Sequence, residues 1–137
     1  MTGRLWLERD LVIVACAASA GIHGALVPQH LDESAAAGLG FIVATAILVV
    51  LAVWLTLGTG TVELVATAAV LSGLLASYGL AITIGVPLLH PEPEAIDALA
   101  LATKAVELAG LVMAAHLLLR GRRRVALSIP RPKGTTT

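Results

Sequence analysis

A single cysteine in 137 residues excludes a disulfide framework and any cysteine-rich metal site. Charge is scarce too. Only 13% of the residues are Asp, Glu, Lys or Arg, against about 25% in a typical soluble domain. Nine basic and nine acidic residues cancel to a formal net charge of zero. That composition sets aside a water-soluble globule, a disordered chain and a basic nucleic-acid-binding domain. Three enzyme signatures are also missing: a Gly-rich phosphate loop, a nucleophile elbow and the metalloprotease HExxH. What is present is apolar, at 58% of the chain.

The apolar residues fall into four runs, about 11–27, 36–57, 62–86 and 95–119. A helix needs about 20 such residues to cross a hydrocarbon core of about 30 Å. The last three runs qualify outright; the first reaches that length only by running through Pro28 to Leu31. Four spans use most of the chain and leave no extramembrane catalytic domain. The expected fold is all-α, a four-helix transmembrane bundle whose short connections make neighbouring helices antiparallel. Residues 1–10 precede the membrane domain of 11–119, and 120–137 read as a basic, disordered tail.

Lys and Arg placement gives the expected orientation. Arg4 and Arg9 precede the first run, and Arg120, Arg122, Arg123, Arg124, Arg131 and Lys133 follow the last. The first and third connections carry no Lys or Arg, only Asp32, Glu33, Glu92 and Glu94, with Asp97 just inside the fourth run. Both termini are therefore expected in the cytoplasm, in a multi-pass protein of the cell membrane. Trp6 and Trp54 then both fall at the inner interface. The tail arginines anchor that end and attract anionic lipid. A signal peptide or lipoprotein reading of Ala18-Ser19-Ala20 and Cys16 fails because Glu8, Arg9 and Asp10 crowd the h-region.

Hydrophobicity places helices in lipid without pairing them; pairing needs small residues and polar contacts. Ala17 with Gly21, Ala20 with Gly24, Gly73 with Ser77 and Gly110 with Ala114 offer small residues four apart. Pro28 and Pro87 are expected to end or kink their helices. An echo relates Ala18-Ser19-Ala20-Gly21 and Val27-Pro28-Gln29-His30 to Ala76-Ser77-Tyr78-Gly79 and Val86-Pro87-Leu88-Leu89-His90, at an offset of about 58 residues, a spacing that a parallel repeat would give.

Ionisable residues inside a membrane run are functional candidates by default. His23, Lys104 and Glu107 lie deep, and Tyr78 reaches the same layer. At 100° per residue Lys104 and Glu107 are about 60° apart on one helix, so they can pair. The plain alternative to a functional cluster is a neutralising pair that lets the helix insert and fixes its register. His116, on the opposite side of the helix from Glu107, is expected outside the cluster.

A metal reading falls on the outer connections. His30 and His90 occupy equivalent places in the echo, with Glu92, Glu94 and Asp97 nearby. Imidazole with carboxylate suits copper or zinc. Cys16, His23 and His30 repeat every seven residues, about 10.5 Å along a helix, so neighbours in that series cannot share an ion. A bis-histidine haem finds no pair at matching depth inside the membrane.

Ile22-His23, Pro28-Gln29-His30-Leu31, Thr83-Ile84-Gly85-Val86-Pro87 and Pro91-Glu92-Pro93-Glu94, with the later Glu107, together form a recognisable pattern. Over residues 18–110 the chain resembles an uncharacterised family of small four-helix integral membrane proteins from high-GC bacteria. Two Lys against seven Arg fits such a genome. The resemblance implies the fold and carries over no activity or binding residue.

The leading expectation is a non-catalytic accessory or interaction subunit with a buried polar cluster. The alternatives are extracytoplasmic metal handling through His30 and His90, and a proton or small-solute path through His23, Lys104 and Glu107. Expected partners are the lipid bilayer and either a second copy or another membrane protein, with no nucleic acid.

Overall fold

The computed structural model describes residues 2–85, 93 and 96–128, and the side chains of 6–85, 93 and 96–122. Its architecture is four helices: α1 (Thr2–Glu33), α2 (Ala35–Leu57), α3 (Thr61–Thr83) and α4 (Ala98–Ser128). All four are long and apolar enough to cross a membrane. They pack as a four-helix bundle in the ring order α2, α1, α4, α3, and the α2–α3 seam is the loosest.

The helix ends show which local signals prevail. α1 runs five residues past Pro28, so of the two expected effects, ending or kinking, this proline does not end the helix. Proline is tolerated inside membrane helices when neighbouring groups satisfy the freed carbonyl. Ser34 alone separates α1 from α2; it is extended, and its hydroxyl caps the Ala37 amide at 3.5 Å. α3 stops at Thr83 rather than near 86 because Gly85 adopts φ 72°, the left-handed conformation that terminates helices. α4 starts at Ala98, where the Asp97 carboxylate accepts from the Ala100 amide at 2.8 Å. It then runs through Gly121 to Ser128, so residues 120–128 continue a helix where a disordered tail was expected. One internal Gly costs only about 1 kcal/mol, too little to stop the helix at position 121. At the other end α1 begins at Thr2, not near 11, and Glu8 is tied to α4.

The buried stripes follow helical spacing. Val12, Cys16 and Ala20 of α1 meet Leu48, Ala52 and Leu55 of α2, Leu64 and Leu71 of α3, and Ala114 of α4. On α4 the buried positions are Thr103, Glu107, Gly110 and Ala114, a heptad-like seam facing inward. Gly110 allows the closest approach. A Cβ there would stand 2.8 Å from Ala15 Cβ and 3.2 Å from Leu71 Cδ1, so α1 and α3 both press on this point. Ala17 and Gly21 are exposed, and no atom of another helix lies within 4 Å of where a Cβ of Gly21 or Gly73 would be. Those small residues do not pack the bundle. An open apolar groove of about 530 Å³ lies between α1 and α2, lined by none of His23, Tyr78, Lys104 or Glu107.

Candidate functional site: a buried polar cluster

Glu107 is the focus. Its position on the α4 seam puts the carboxylate at zero exposure, between α4 and α1. Lys104, one turn earlier, donates from Nζ to Oε2 at 2.8 Å. Ser19 of α1 donates its hydroxyl to Oε1 at 2.7 Å. Both oxygens are thus engaged by strong, charge-assisted bonds. His23 lies one turn along α1, with Nε2 3.9 Å from Oε1, beyond hydrogen-bonding distance.

The histidine's other nitrogen sets its tautomer. Nδ1 lies 2.9 Å from the Ser19 carbonyl. A carbonyl only accepts, so Nδ1 carries a proton and donates it there. The same nitrogen is 3.4 Å from Ser19 Oγ. Ser19 therefore has no base to activate it: its proton goes to Glu107 and the imidazole faces it with an N–H. Serine, histidine and glutamate come together here without forming a nucleophilic triad.

Tyr78 of α3 completes the layer. Lys104 Nζ sits 5.5 Å from the ring centroid, within cation–π range. The Tyr78 hydroxyl is buried and has no hydrogen-bond partner among the described residues. His23, Tyr78, Lys104 and Glu107 are thus brought into one layer, and Ser19 joins them. A second polar contact lies toward the other end of α1 and α4. Arg120 Nη1 donates to both Glu8 oxygens at 2.9 and 3.0 Å, and His116 Nε2 stands 4.0 Å from Oε1.

The residues expected to hold a metal are not gathered in this way. His90, Glu92 and Glu94 lie outside the described residues. His30 stacks on Phe41 at 3.7 Å and directs Nδ1 to the Leu26 carbonyl at 3.0 Å. Asp97 serves as the α4 cap. Among the described residues no three His, Cys, Asp or Glu side chains come close enough to hold an ion. Phe41 also touches His23, with ring centroids 5.3 Å apart, so its ring separates the two histidines.

Ser19, Phe41 and the Glu8–Arg120 pair are the contacts that sequence reasoning did not reach. Ser19 had one usable signal: it lies one turn before His23 on the buried α1 stripe. No family model, curated protein or solved structure matches the chain.

Proposed function

We propose that this chain is a multi-pass protein of the cell membrane that works without catalysis, as an accessory or interaction subunit locked by its buried cluster. The observation that carries this reading is the saturation of Glu107: fully buried, it spends one oxygen on Lys104 and the other on Ser19. A carboxylate so engaged neutralises a lysine and fixes α4 against α1. Neighbouring helices alternate in direction in this proposal. The pairs Glu8–Arg120 and Ser19–Glu107 support that for α1 and α4, since one number rises as the other falls. Both termini lie in the cytoplasm, where Arg4, Arg9 and the arginines from 120 onward collect. A bacterial origin of the high-GC type belongs to the same proposal.

A proton path is the second reading, and His23 is what favours it, because its Nε2 is one short movement from Glu107. Against it stands Phe41, whose hydrocarbon ring fills the step from His23 to His30. Proteoliposomes with an imposed membrane potential and a trapped pH dye separate the two. The structural reading expects proton flux equal to that of empty liposomes. Flux above that level that disappears in Glu107→Gln would overturn it in favour of the path.

A further inference from the structure

The arginine-bearing end of the bundle has a depth and a charge balance that together specify a partner. α4 has 31 residues, about 46 Å at 1.5 Å each, against a hydrocarbon core of about 30 Å. Its arginines begin at Arg120 while the helix continues to Ser128. The surplus length carries residues 120–128 into the headgroup layer. α1 supplies Trp6 and Arg9 at the same level, since neighbouring Glu8 is held by Arg120. Trp6 is 57% exposed, with the Arg9 guanidinium 4.6 Å from its ring centroid. An exposed indole at this depth is the usual marker of the lipid–water interface.

Two of the three carboxylates at this end are already taken, and the third, Glu63 in the first turn of α3, has no ion-pair partner among the described residues. Glu8 is engaged by Arg120, with His116 behind it, and Asp10 by Arg9 at 3.2 Å. Arg122 is exposed and has no ion-pair partner among the described residues. Positions 123 and 124 are also arginine, and no Asp or Glu follows Glu107 anywhere in the chain. One free carboxylate, Glu63, cannot balance Arg122, Arg123 and Arg124, so further counter-charge at that depth comes from outside the protein, and lipid phosphate is the anion present there.

We infer that this end binds anionic glycerophospholipid headgroups of the phosphatidylglycerol type in preference to zwitterionic ones. The inference rests on the transmembrane reading of α1 and α4. Trp6 can report it directly. In the full chain carrying Trp54→Phe, Trp6 is the single tryptophan. Its fluorescence is measured in phosphatidylcholine bilayers containing a minority of brominated phosphatidylglycerol or, separately, brominated phosphatidylcholine.

The anionic lipid is expected to quench Trp6 more, with a relative association constant of fivefold or more. Each arginine near an anionic surface contributes about fivefold. The preference should collapse toward one in 1 M salt, where the Debye length is about 3 Å. It should also collapse in the triple variant Arg122→Gln, Arg123→Gln, Arg124→Gln. Equal quenching by the two lipids, or a preference that survives high salt, would overturn the inference. The salt comparison needs no arginine variant and stands even if the triple variant misfolds. Displacement of the lipid effect by millimolar inorganic phosphate would reassign the site to a free anion and overturn the lipid proposal. Failure of the protein to float with liposomes of either composition would instead overturn the transmembrane reading itself.

Discussion

Replacing Glu107 by Leu removes the carboxylate that faces Lys104 and strands an ammonium whose side chain is only 16% exposed. Deleting one partner of a buried pair costs about 3–5 kcal/mol. Insertion scales put a lone charge at a helix centre at about 2.5–3.5 kcal/mol. The two routes agree near 3 kcal/mol. Ser19 also loses its acceptor, but its hydroxyl can turn to a carbonyl of its own helix, which limits that loss to about 1 kcal/mol. The double variant Lys104→Leu, Glu107→Leu strands no charge and forfeits only hydrogen bonds, at about 1 kcal/mol. The double variant should therefore be more stable than Glu107→Leu alone by about 2–3 kcal/mol. Reversible unfolding in mixed micelles of rising SDS fraction, followed by circular dichroism, measures both differences. If Glu107→Leu unfolds within about 1 kcal/mol of the double variant, Lys104 is not stranded and the locking argument fails.

Gly110→Ala should destabilise the bundle by about 1–3 kcal/mol, because the new methyl meets Ala15 Cβ at 2.8 Å and neither methyl can rotate away. The same unfolding assay reads it, and a neutral result would mean that α4 approaches α1 less closely. Arg120→Ala should cost less than about 1 kcal/mol, since the Glu8–Arg120 pair is partly exposed and solvent screens it. A loss of several kcal/mol would contradict that reasoning. For topology, a Cys16→Ala background carrying Pro93→Cys should label from outside intact cells, and one carrying Ala126→Cys should not. The reverse pattern would put both termini outside.

What could be read from the residues depended on range along the chain. The four apolar runs and the Lys104–Glu107 pair are local properties, visible as run length and as a three-residue spacing on one helix. Ser19 is different. Its partner is 88 residues away, and one serine in an apolar helix leaves no periodic mark. Glu8 and Arg120, 112 residues apart, were legible only as members of charged flanks. Helix ends were misjudged where punctuation was weighed without its surroundings. Gly121 is a breaker in isolation, yet it sits inside a helix, while Gly85 does stop α3 because it takes a positive φ. His30 illustrates the converse problem: a residue suited to metal binding by type has its ring face on Phe41 and one nitrogen on its own helix.

The central claim is that Lys104 and Glu107 form a closed ion pair inside the bundle when the protein is in a bilayer. Solid-state NMR of the full chain in lipid, labelled with ¹⁵N-lysine and ¹³C-glutamate, tests it through dipolar transfer from Nζ to Cδ. With only Lys104 and Lys133 in the chain, the lysine spectrum is simple to assign. The 2.8 Å contact between Nζ and Oε2 predicts one strong cross-peak that disappears in Glu107→Gln. No cross-peak in the unmodified protein, or one that persists in Glu107→Gln, would contradict the pair and the account built on it.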